Sequence, residues 1–255
     1  MKKLLKYDFF YLIKTHKLTV FAAVFVLFSI LSPLTAKYIG EILEALTGGT
    51  DIQIDFGTPT VYTAYEQYIS DLFETIFFVV LFVSVSIFIR DKSKGLAALI
   101  FSKPINRTKY VLSKYLAFMI MITISTFIGY LLFTYYTYFL FDEIFFAKGL
   151  AMMSLYLLYL AFISAIAMFF ATITKNYLPA ISLTFGVYIL ISIFTIFGDV
   201  PVFEVLPGML VNSIVGVLYE VNETGVFVWN IIVTVLFTLG FLGLSVWKVQ
   251  KLDIN

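Results

Sequence analysis

Five hydroxyl-bearing side chains recur at steps of three and four residues within one long apolar stretch: Thr123, Thr126, Tyr130, Thr134 and Thr137. In an α-helix these steps place all five within about 60° on one face. Hydroxyls that faced lipid would lack good external partners, although a threonine can also bond to a carbonyl of its own helix. Two interpretations stay open: the stripe packs helices together, or it lines a path for a substrate.

The other reactive side chains form no recognisable catalytic or metal-binding pattern. The chain has no cysteine and only one histidine, His16, so neither a thiolate metal site nor a Ser-His-Asp triad is expected. The P-loop sequence G-x-x-x-x-G-K-[ST] is also missing. We therefore expect a non-catalytic chain with no catalytic residues, metal or cofactor of its own. If ATP drives its activity, a partner binds the ATP and magnesium.

Six long apolar runs supply the scaffold for these residues. Hydrophobic residues make up 61% of the chain and mean hydropathy is +1.00, which is too apolar for an ordinary soluble domain. A helix of about 20 residues crosses about 30 Å of hydrocarbon, and each run approaches or exceeds that length. We predict an all-α integral membrane protein with a single transmembrane domain, residues 1–255. The expected spans are about 18–36, 72–89, 115–141, 150–173, 178–197 and 226–247.

The basic residues predict how these spans are oriented. Fifteen of the 17 lysines and arginines lie in segments that alternate crossing places on one side of the membrane. Only Lys37 and Lys148 lie in the other segments, which carry nearly all of the acidic residues. Because the basic side is the cytoplasmic side, we expect a multi-pass protein of the bacterial cytoplasmic membrane with both termini inside.

Residues 1–17 are predicted to form an amphipathic helix in the membrane interface. One half of its helical wheel is apolar and the other carries lysines, which would face anionic headgroups. The alternative is a plain basic flank before the first span. The apolar half is formed by Leu4, Leu5, Phe9, Leu12 and Ile13.

Two segments on the opposite side are also expected not to cross the membrane. Residues 51–63 are polar and contain Gly57 and Pro59, which indicates an external loop or a short strand. Residues 202–219 are apolar but interrupted by Glu204 and Pro207, and a crossing there would move the last lysines outside. We predict an external re-entrant or interfacial helix before the sixth span.

The basic segment between the second and third spans is much longer than a plain connection, at about 25 residues. Its apolar patch Leu96–Phe101 can form a short helix, which Pro104 ends because the residue before a proline is disfavoured in the α region. Residues 106–108 then restart a helix that continues into the third span. A short cytoplasmic helix with an apolar face and positive rims suits docking into a groove on another protein. The alternative, a solvated basic loop, explains the lysines but not the apolar patch or the proline.

In this segment the chain resembles the membrane subunits of type-2 ATP-binding-cassette exporters. Their loop has an acidic residue, a glycine about four positions on, a small-x-Pro-x-x-Arg turn and a lysine that opens the third span. Asp91, Gly95, residues 102–107 and Lys114 match these features. The resemblance extends to six spans, an interfacial N-terminal helix and an external re-entrant element. This chain departs from the pattern at Asp91, where glutamate is commoner, and at Leu96, where a small residue is frequent.

The resemblance implies that this segment is a coupling helix that contacts separately encoded ATPase subunits. It also implies a second permease copy or a homologue, with an interface near Ser182 and Gly186 of the fifth span, a small-xxx-small pair. The expected substrate is amphiphilic or apolar, such as a peptide toxin, bacteriocin, antibiotic or lipid-like molecule. The predicted coupling residues are Asp91, Gly95, Leu96, Leu99, Phe101, Pro104, Arg107, Lys109 and Lys114.

Two other classes of protein stay open. A secondary ion or solute carrier usually holds a titratable group at mid-depth, whereas here the nearest is Glu74, about one turn inside the external end of the second span. A non-transporting membrane scaffold or sensor would use the basic segment for docking but would need no hydroxyl stripe. Membrane lipid is an expected partner in every case, and nucleic acid is not.

Overall fold

The computed structural model describes residues 2–47, 58–93, 95, 106–196 and 200–251, and the regular structure within these ranges is helical. The elements are α1 (Lys2–Lys14), α2 (Lys17–Thr47), α3 (Val61–Asp71), a π-helical turn (Leu72–Ile76), α4 (Phe77–Ser93), α5 (Arg107–Phe141), α6 (Phe146–Ile173), α7 (Tyr177–Thr195), α8 (Pro201–Glu204), a 3-10 turn (Pro207–Met209), α9 (Leu210–Tyr219) and α10 (Thr224–Gln250).

Six helices in the described part of the chain are long and apolar enough to cross a membrane, which confirms the predicted all-α membrane architecture. Two of them extend well beyond their apolar runs. The six are Lys17–Ile42, Val61–Lys92, Arg107–Phe141, Phe146–Ile173, Tyr177–Thr195 and Thr224–Gln250.

The second span begins at Val61 because α3 continues straight into the π-helical turn and α4. Val61, Tyr65 and Tyr68 recur at helical spacing and are buried, so packing extends the helix into a segment whose composition is polar. The short strand considered for residues 51–63 is therefore wrong at 61–63, which are helical; residues 51–57 lie outside the described part.

The third span begins at Arg107, where the predicted helix restart is confirmed. The side chain of Asn106 caps this helix by accepting a hydrogen bond from the Lys109 backbone N–H at 3.2 Å. The first two turns of α5 therefore lie in the basic sequence that precedes the apolar run.

The central helix of the bundle is α6, which packs against α4, α5, α7, α9 and α10. On the other side of α5, α2 packs against α5 and α3. The spans α7 and α10 leave most of their apolar surface facing outward, as helices in contact with lipid would.

The N-terminal helix α1 is amphipathic, but its apolar half packs against protein. Leu12 is buried, and Leu5 and Phe9 pack against the core where α1 meets α5. The outward half mixes exposed lysines with the exposed rings of Tyr7 and Phe10, a composition that still suits a membrane interface.

Residues 200–219 form no seventh span. They fold as α8, the 3-10 turn and α9, whose ten residues are too short to cross the hydrocarbon. The turn packs closely on α7 at Gly208, where a Cβ atom would lie 2.6 Å from Thr195 Cγ2. The helix α9 itself packs against α6 and α3, as expected for an element held at one end of the bundle.

Candidate functional site

A buried ionic cluster lies at the two ends of the long basic segment. The carboxylate of Asp91, at the end of α4, pairs with Arg90 Nε at 2.6 Å and with Lys114 Nζ of α5 at 2.5 Å. The hydroxyl of Tyr110 donates a third contact to Asp91 Oδ2 at 2.6 Å. Asp91 is 1% exposed and Lys114 is 3% exposed, so each charge depends on the other for compensation.

Helix α1 joins the same cluster through two side chains. The Ser113 hydroxyl of α5 donates to Asp8 Oδ2 at 2.6 Å, and the Arg90 guanidinium lies 3.6 Å from the centre of the Tyr11 ring. Burial raises the pKa of the Asp8 carboxyl, while the Ser113 hydrogen bond and the Lys114 charge oppose that rise. A cavity of about 10 Å³, roughly the space of one water molecule, separates Asp8, Arg90 and Lys114.

Two further cations beside the segment cap the ends of other spans. Lys92 Nζ donates to the carbonyl oxygens of Thr172 and, at 3.1 Å, Thr174, where α6 ends. Arg107 Nη1 donates to the carbonyl oxygens of Val249 at 3.1 Å and Gln250 at 2.9 Å, where α10 ends. The last carbonyls of a helix lack intrahelical partners and carry partial negative charge, so cations stabilise them.

These contacts gather the basic ends of α1, α4, α5, α6 and α10 into one region, which we call the basic end of the bundle. Residues 94–106, which join α4 to α5 in the sequence, are called the connecting segment. A displacement at the ends of α4 and α5 would therefore act on three other helices, α1, α6 and α10.

The predicted coupling residues divide into three groups. Leu96, Leu99, Phe101 and Pro104 lie outside the described residues. Gly95 follows α4 with a left-handed φ of 68°, and its N–H bonds to the Lys92 carbonyl at 3.0 Å, as in a helix C-cap.

The third group consists of Asp91, Arg107, Lys109 and Lys114. The sequence analysis assigned all four the same coupling role, but they lie in different environments. Asp91 and Lys114 are buried inside the protein, so they anchor the segment and present no surface to a partner. Arg107 bonds within its own chain to the end of α10. Only Lys109 has an exposed side chain among these described residues.

Sequence analysis missed the roles of Asp8, Arg90, Lys92 and Tyr110. Asp8 gave a usable signal, because a carboxylate within the apolar half of an amphipathic helix needs a polar partner when that half is buried. No local pattern indicates that Lys92 reaches the end of α6, which is far away in the sequence.

The hydroxyl stripe is split by the packing of α5. Thr126, Tyr130, Thr134 and Thr137 are buried, whereas Thr123 is exposed and donates to the Met119 carbonyl at 2.8 Å. The contacts of the buried members favour helix packing over a substrate path.

Tyr130 makes the clearest packing contact of this stripe. Its hydroxyl donates to the Phe146 carbonyl at 2.6 Å, and its ring fills the space beside Gly149, where a Cβ atom would collide with it. Thr134 bonds back to the Tyr130 carbonyl at 3.1 Å. The Thr126 and Thr137 hydroxyls are buried without a hydrogen-bond partner.

Ser182 and Gly186 lie on the outward side of α7. Ser182 is exposed, and a Cβ atom added to Gly186 would meet no atom within 4 Å. This surface is open in the single chain, so the subunit interface predicted there stays a prediction.

A polar groove between α2 and α3, at the opposite end of the bundle, was not predicted. It has a volume of about 290 Å³ and is lined by Thr35, Ala36, Ile39, Pro59, Thr63, Glu66, Gln67 and Ser70. Beside it, the Asp71 carboxylate accepts hydrogen bonds from Ser32 at 2.6 Å and Gln67 at 3.2 Å. Asp71 directly precedes the π-helical turn, a distortion that is frequent at functional sites.

Comparison with known proteins supports a multi-pass membrane protein. Residues 53–255 match a family described as "Protein of unknown function (DUF2705)". The chain is 24% identical over 244 residues to the "Uncharacterized transmembrane protein YxlG" of Bacillus subtilis (strain 168), which covers 94% of this chain and 93% of that protein. No solved structure matches the chain.

Proposed function

This chain belongs to the DUF2705 family of proteins of unknown function, and we propose that it is the permease subunit of an ATP-driven exporter. A separately encoded ATPase docks on the connecting segment, and its ATP-driven movement repacks the spans. The observation that carries this proposal is the attachment of both ends of that segment to other helices through Asp91, Lys92 and Arg107.

These attachments provide a route for movement from the segment into the bundle. Lys92 links the segment to the end of α6, the central helix, and Arg107 links it to the end of α10. Asp91 and Lys114 join α4 to α5, and Asp8 adds α1. An ordinary solvated loop needs none of these contacts, whereas a coupling element needs several of them.

The same proposal assigns the remaining partners. The basic end faces the cytoplasm, so both termini lie inside, and the ATPase holds the ATP and magnesium. A second permease copy or a homologue packs on the outward face of α7 that carries Ser182 and Gly186. The substrate is amphiphilic or apolar, in the class of peptide toxins, bacteriocins, antibiotics and lipid-like molecules, and it leaves the cell.

The test is co-purification of the tagged chain from its native membranes, followed by mass spectrometry and a vanadate-sensitive ATPase assay. We expect the wild-type chain to bring with it an ATPase that has a P-loop sequence. In the proposed complex the apolar patch Leu96–Phe101 is buried against the ATPase, so Leu99→Asp would place an unpaired charge in that interface. Such a charge costs several kcal/mol, enough to reduce binding by orders of magnitude. Membrane insertion is expected to be normal.

Val221→Asp is the matched control, since Val221 is 71% exposed at the other end of the bundle. This variant should retain the ATPase. The proposal is rejected if the wild-type chain recovers no such ATPase, or if Leu99→Asp retains both the subunit and its activity at the wild-type level.

Asp71 favours a second candidate function, a secondary ion or solute carrier. Its half-buried carboxylate lies in the apolar helix of the second span, beside the π-helical turn and the polar groove. A carrier needs such a titratable group. In proteoliposomes without ATP, a carrier would move solute along an ion gradient and lose this transport in Asp71→Asn. Transport that requires an ATPase and survives this change would exclude the carrier.

A further inference from the structure

We propose that Lys92, Lys175 and Lys248, at the basic end of the bundle, form a binding site for the phosphate of an anionic phospholipid. The three lysines come from segments far apart in the sequence: the end of α4, the α6–α7 turn and the end of α10. The site does not depend on the exporter proposal, because a carrier or a scaffold would carry it equally.

The backbone contacts of Lys92 fix the position of the site. Its ammonium group bonds to the carbonyl oxygens of Thr172 and Thr174, so it lies directly beside Lys175. Helix α10 packs along α6, and its last turn, which carries Lys248, lies at the same end of the bundle, where Arg107 bonds to the carbonyl oxygens of Val249 and Gln250. The positive charges of Lys175 and Lys248 both act on the Lys92 ammonium group. The Lys92 ammonium group also donates to the Ala171 carbonyl at 3.3 Å, so its three N–H groups are used and it contributes positive charge to the site. Lys175 is exposed and Lys248 is partly exposed, so these two side chains can contact the phosphate.

No carboxylate balances these three charges in the described part of the chain. The ion pairs found there involve Arg90, Lys114 and Lys148 instead. The two described carboxylates at the basic end, Asp8 and Asp91, are buried and already bonded. The preference for lysines on the cytoplasmic side explains their sign but not their convergence from three segments. Like charges held together repel, so an anion that binds among them is stabilised.

The surroundings favour a lipid phosphate over a soluble anion. Lys175 and Lys248 lie at the ends of α7 and α10, the spans with the most outward apolar surface among the six described. Leu178 is 72% exposed and Trp247 is 52% exposed, one near Lys175 and the other next to Lys248 in the sequence. Tryptophan is typical of the headgroup level of a membrane, and basic sites between spans bind anionic headgroups. Acyl chains can lie along these apolar surfaces while the phosphate contacts the lysines.

The test compares lipid retention by three purified proteins in lipid nanodiscs with equal phosphatidylglycerol and phosphatidylcholine, read by native mass spectrometry at about 0.15 M salt. The site variant is Lys175→Gln/Lys248→Gln, which keeps Lys92 and its cap on α6. The matched control, Lys6→Gln/Lys14→Gln, removes the same charge from exposed positions of α1. A fourth sample adds inorganic phosphate to the wild-type protein.

We expect the wild-type protein and the control to retain phosphatidylglycerol preferentially. In the site variant, the ratio of bound phosphatidylglycerol to bound phosphatidylcholine should fall at least tenfold. The site variant should unfold at the wild-type temperature in detergent, since it removes repulsion and no internal bond. If it unfolds earlier, Lys175→Arg/Lys248→Arg, which keeps both charges, should retain the lipid. Equal losses in site variant and control, no lipid preference in the wild type, or full displacement by millimolar inorganic phosphate would each overturn the proposal.

Discussion

The two ends of the bundle are held together by different kinds of contact. At the basic end, long charged side chains reach between helices, as Lys114 does to Asp91 and Arg107 does to the end of α10. The acidic end comprises the start of α3, the end of α5, the start of α6, α9 and the start of α10. Its helices are joined largely by aromatic rings: Tyr68 stacks on Phe133 at 4.2 Å between ring centres.

The ion pair of the acidic end lies near the surface. Lys148 Nζ lies 2.8 Å from Glu220 Oε1, and the hydrogen bond from Lys148 lowers the pKa of the Glu220 carboxyl. The Glu220 side chain is 73% exposed, so this pair holds no buried charge. Surface pairs of this kind contribute little. The Tyr219 hydroxyl donates to Glu66 at 2.5 Å, and the Tyr219 ring stacks on Tyr62.

This difference has a physical consequence. Removal of one buried charge at the basic end leaves its partner buried and unpaired, whereas removal of one member of the Lys148–Glu220 pair leaves no buried charge. The basic end should therefore resist local change as one cooperative unit. The acidic end should respond to substitutions in small, separate steps.

The largest effect is expected from Asp91→Asn. This change leaves the buried Lys114 and Arg90 without their counter-charge, at a cost of about 3–5 kcal/mol in the free energy of unfolding. Thermal unfolding of the detergent-solubilised protein, followed by size-exclusion chromatography, should show a large fall in melting temperature or loss of the folded peak.

Two other carboxylates serve as controls for Asp91. Glu74→Gln changes an exposed side chain and should leave the melting temperature nearly unchanged. Asp8→Asn should also be much milder, because the pKa of Asp8 is raised by burial and asparagine can still accept the Ser113 hydrogen bond. Equal melting of all three variants would show that the ion pairs of Asp91 contribute no special stability to the basic end.

Lys92→Met should have the second-largest effect, since it removes the cation that caps the end of α6. Buried carbonyls that lose their donor cost about 1–3 kcal/mol. Amide hydrogen exchange should accelerate in the last turn of α6 more than in its first turn. Lys109→Met, on an exposed side chain, should change neither exchange nor melting. Uniform exchange along α6 in the Lys92 variant would contradict the capping role.

Tyr219→Phe tests the acidic end through its pH dependence. The hydrogen bond to Glu66, assisted by partial burial, raises the pKa of Tyr219 to about 12 from its ordinary 10.0. The folded state therefore favours the neutral hydroxyl, so its stabilisation is complete below pH 10 and is lost as the pH rises to 12. The variant should keep the ring stack, change little at pH 7, and show a smaller decline than wild type between pH 10 and 12. If the melting temperatures of wild type and Tyr219→Phe fall in parallel between pH 10 and 12, the Tyr219–Glu66 hydrogen bond does not contribute to stability.

The smallest effect, and a favourable one, is expected from Asp142→Gly at the end of α5. Asp142 has a left-handed φ of 57°, a conformation that glycine adopts without strain, and its negative charge opposes the helix dipole. The melting temperature should rise by an amount equivalent to about 0.5–1 kcal/mol. Asp142→Ala removes the same charge but keeps the strained backbone, so any gain should be smaller. An equal gain in both would assign the effect to charge alone.

Much of the fold follows from the sequence because the membrane restricts the choices. Runs of about 20 apolar residues must form helices, since no water is present to satisfy the backbone. The six spans were predicted on this basis, and the helix that restarts at residues 106–108 was predicted from the break at Pro104. The amphipathic pattern of α1 was also visible, because it depends only on local spacing.

The tertiary structure decided which residues meet and which faces are covered. Composition alone predicted that the second span begins near residue 72, but packing of Tyr65 and Tyr68 extends its start to Val61. Spacing alone placed Thr123 with Thr126 and Tyr130, whereas the neighbours of α5 bury only the latter two. Likewise, Lys92 and Arg107 were visible as charges, but their carbonyl partners belong to α6 and α10. Local periodicity fixes the face on which a side chain lies; its partner depends on how distant helices pack, which no local pattern encodes.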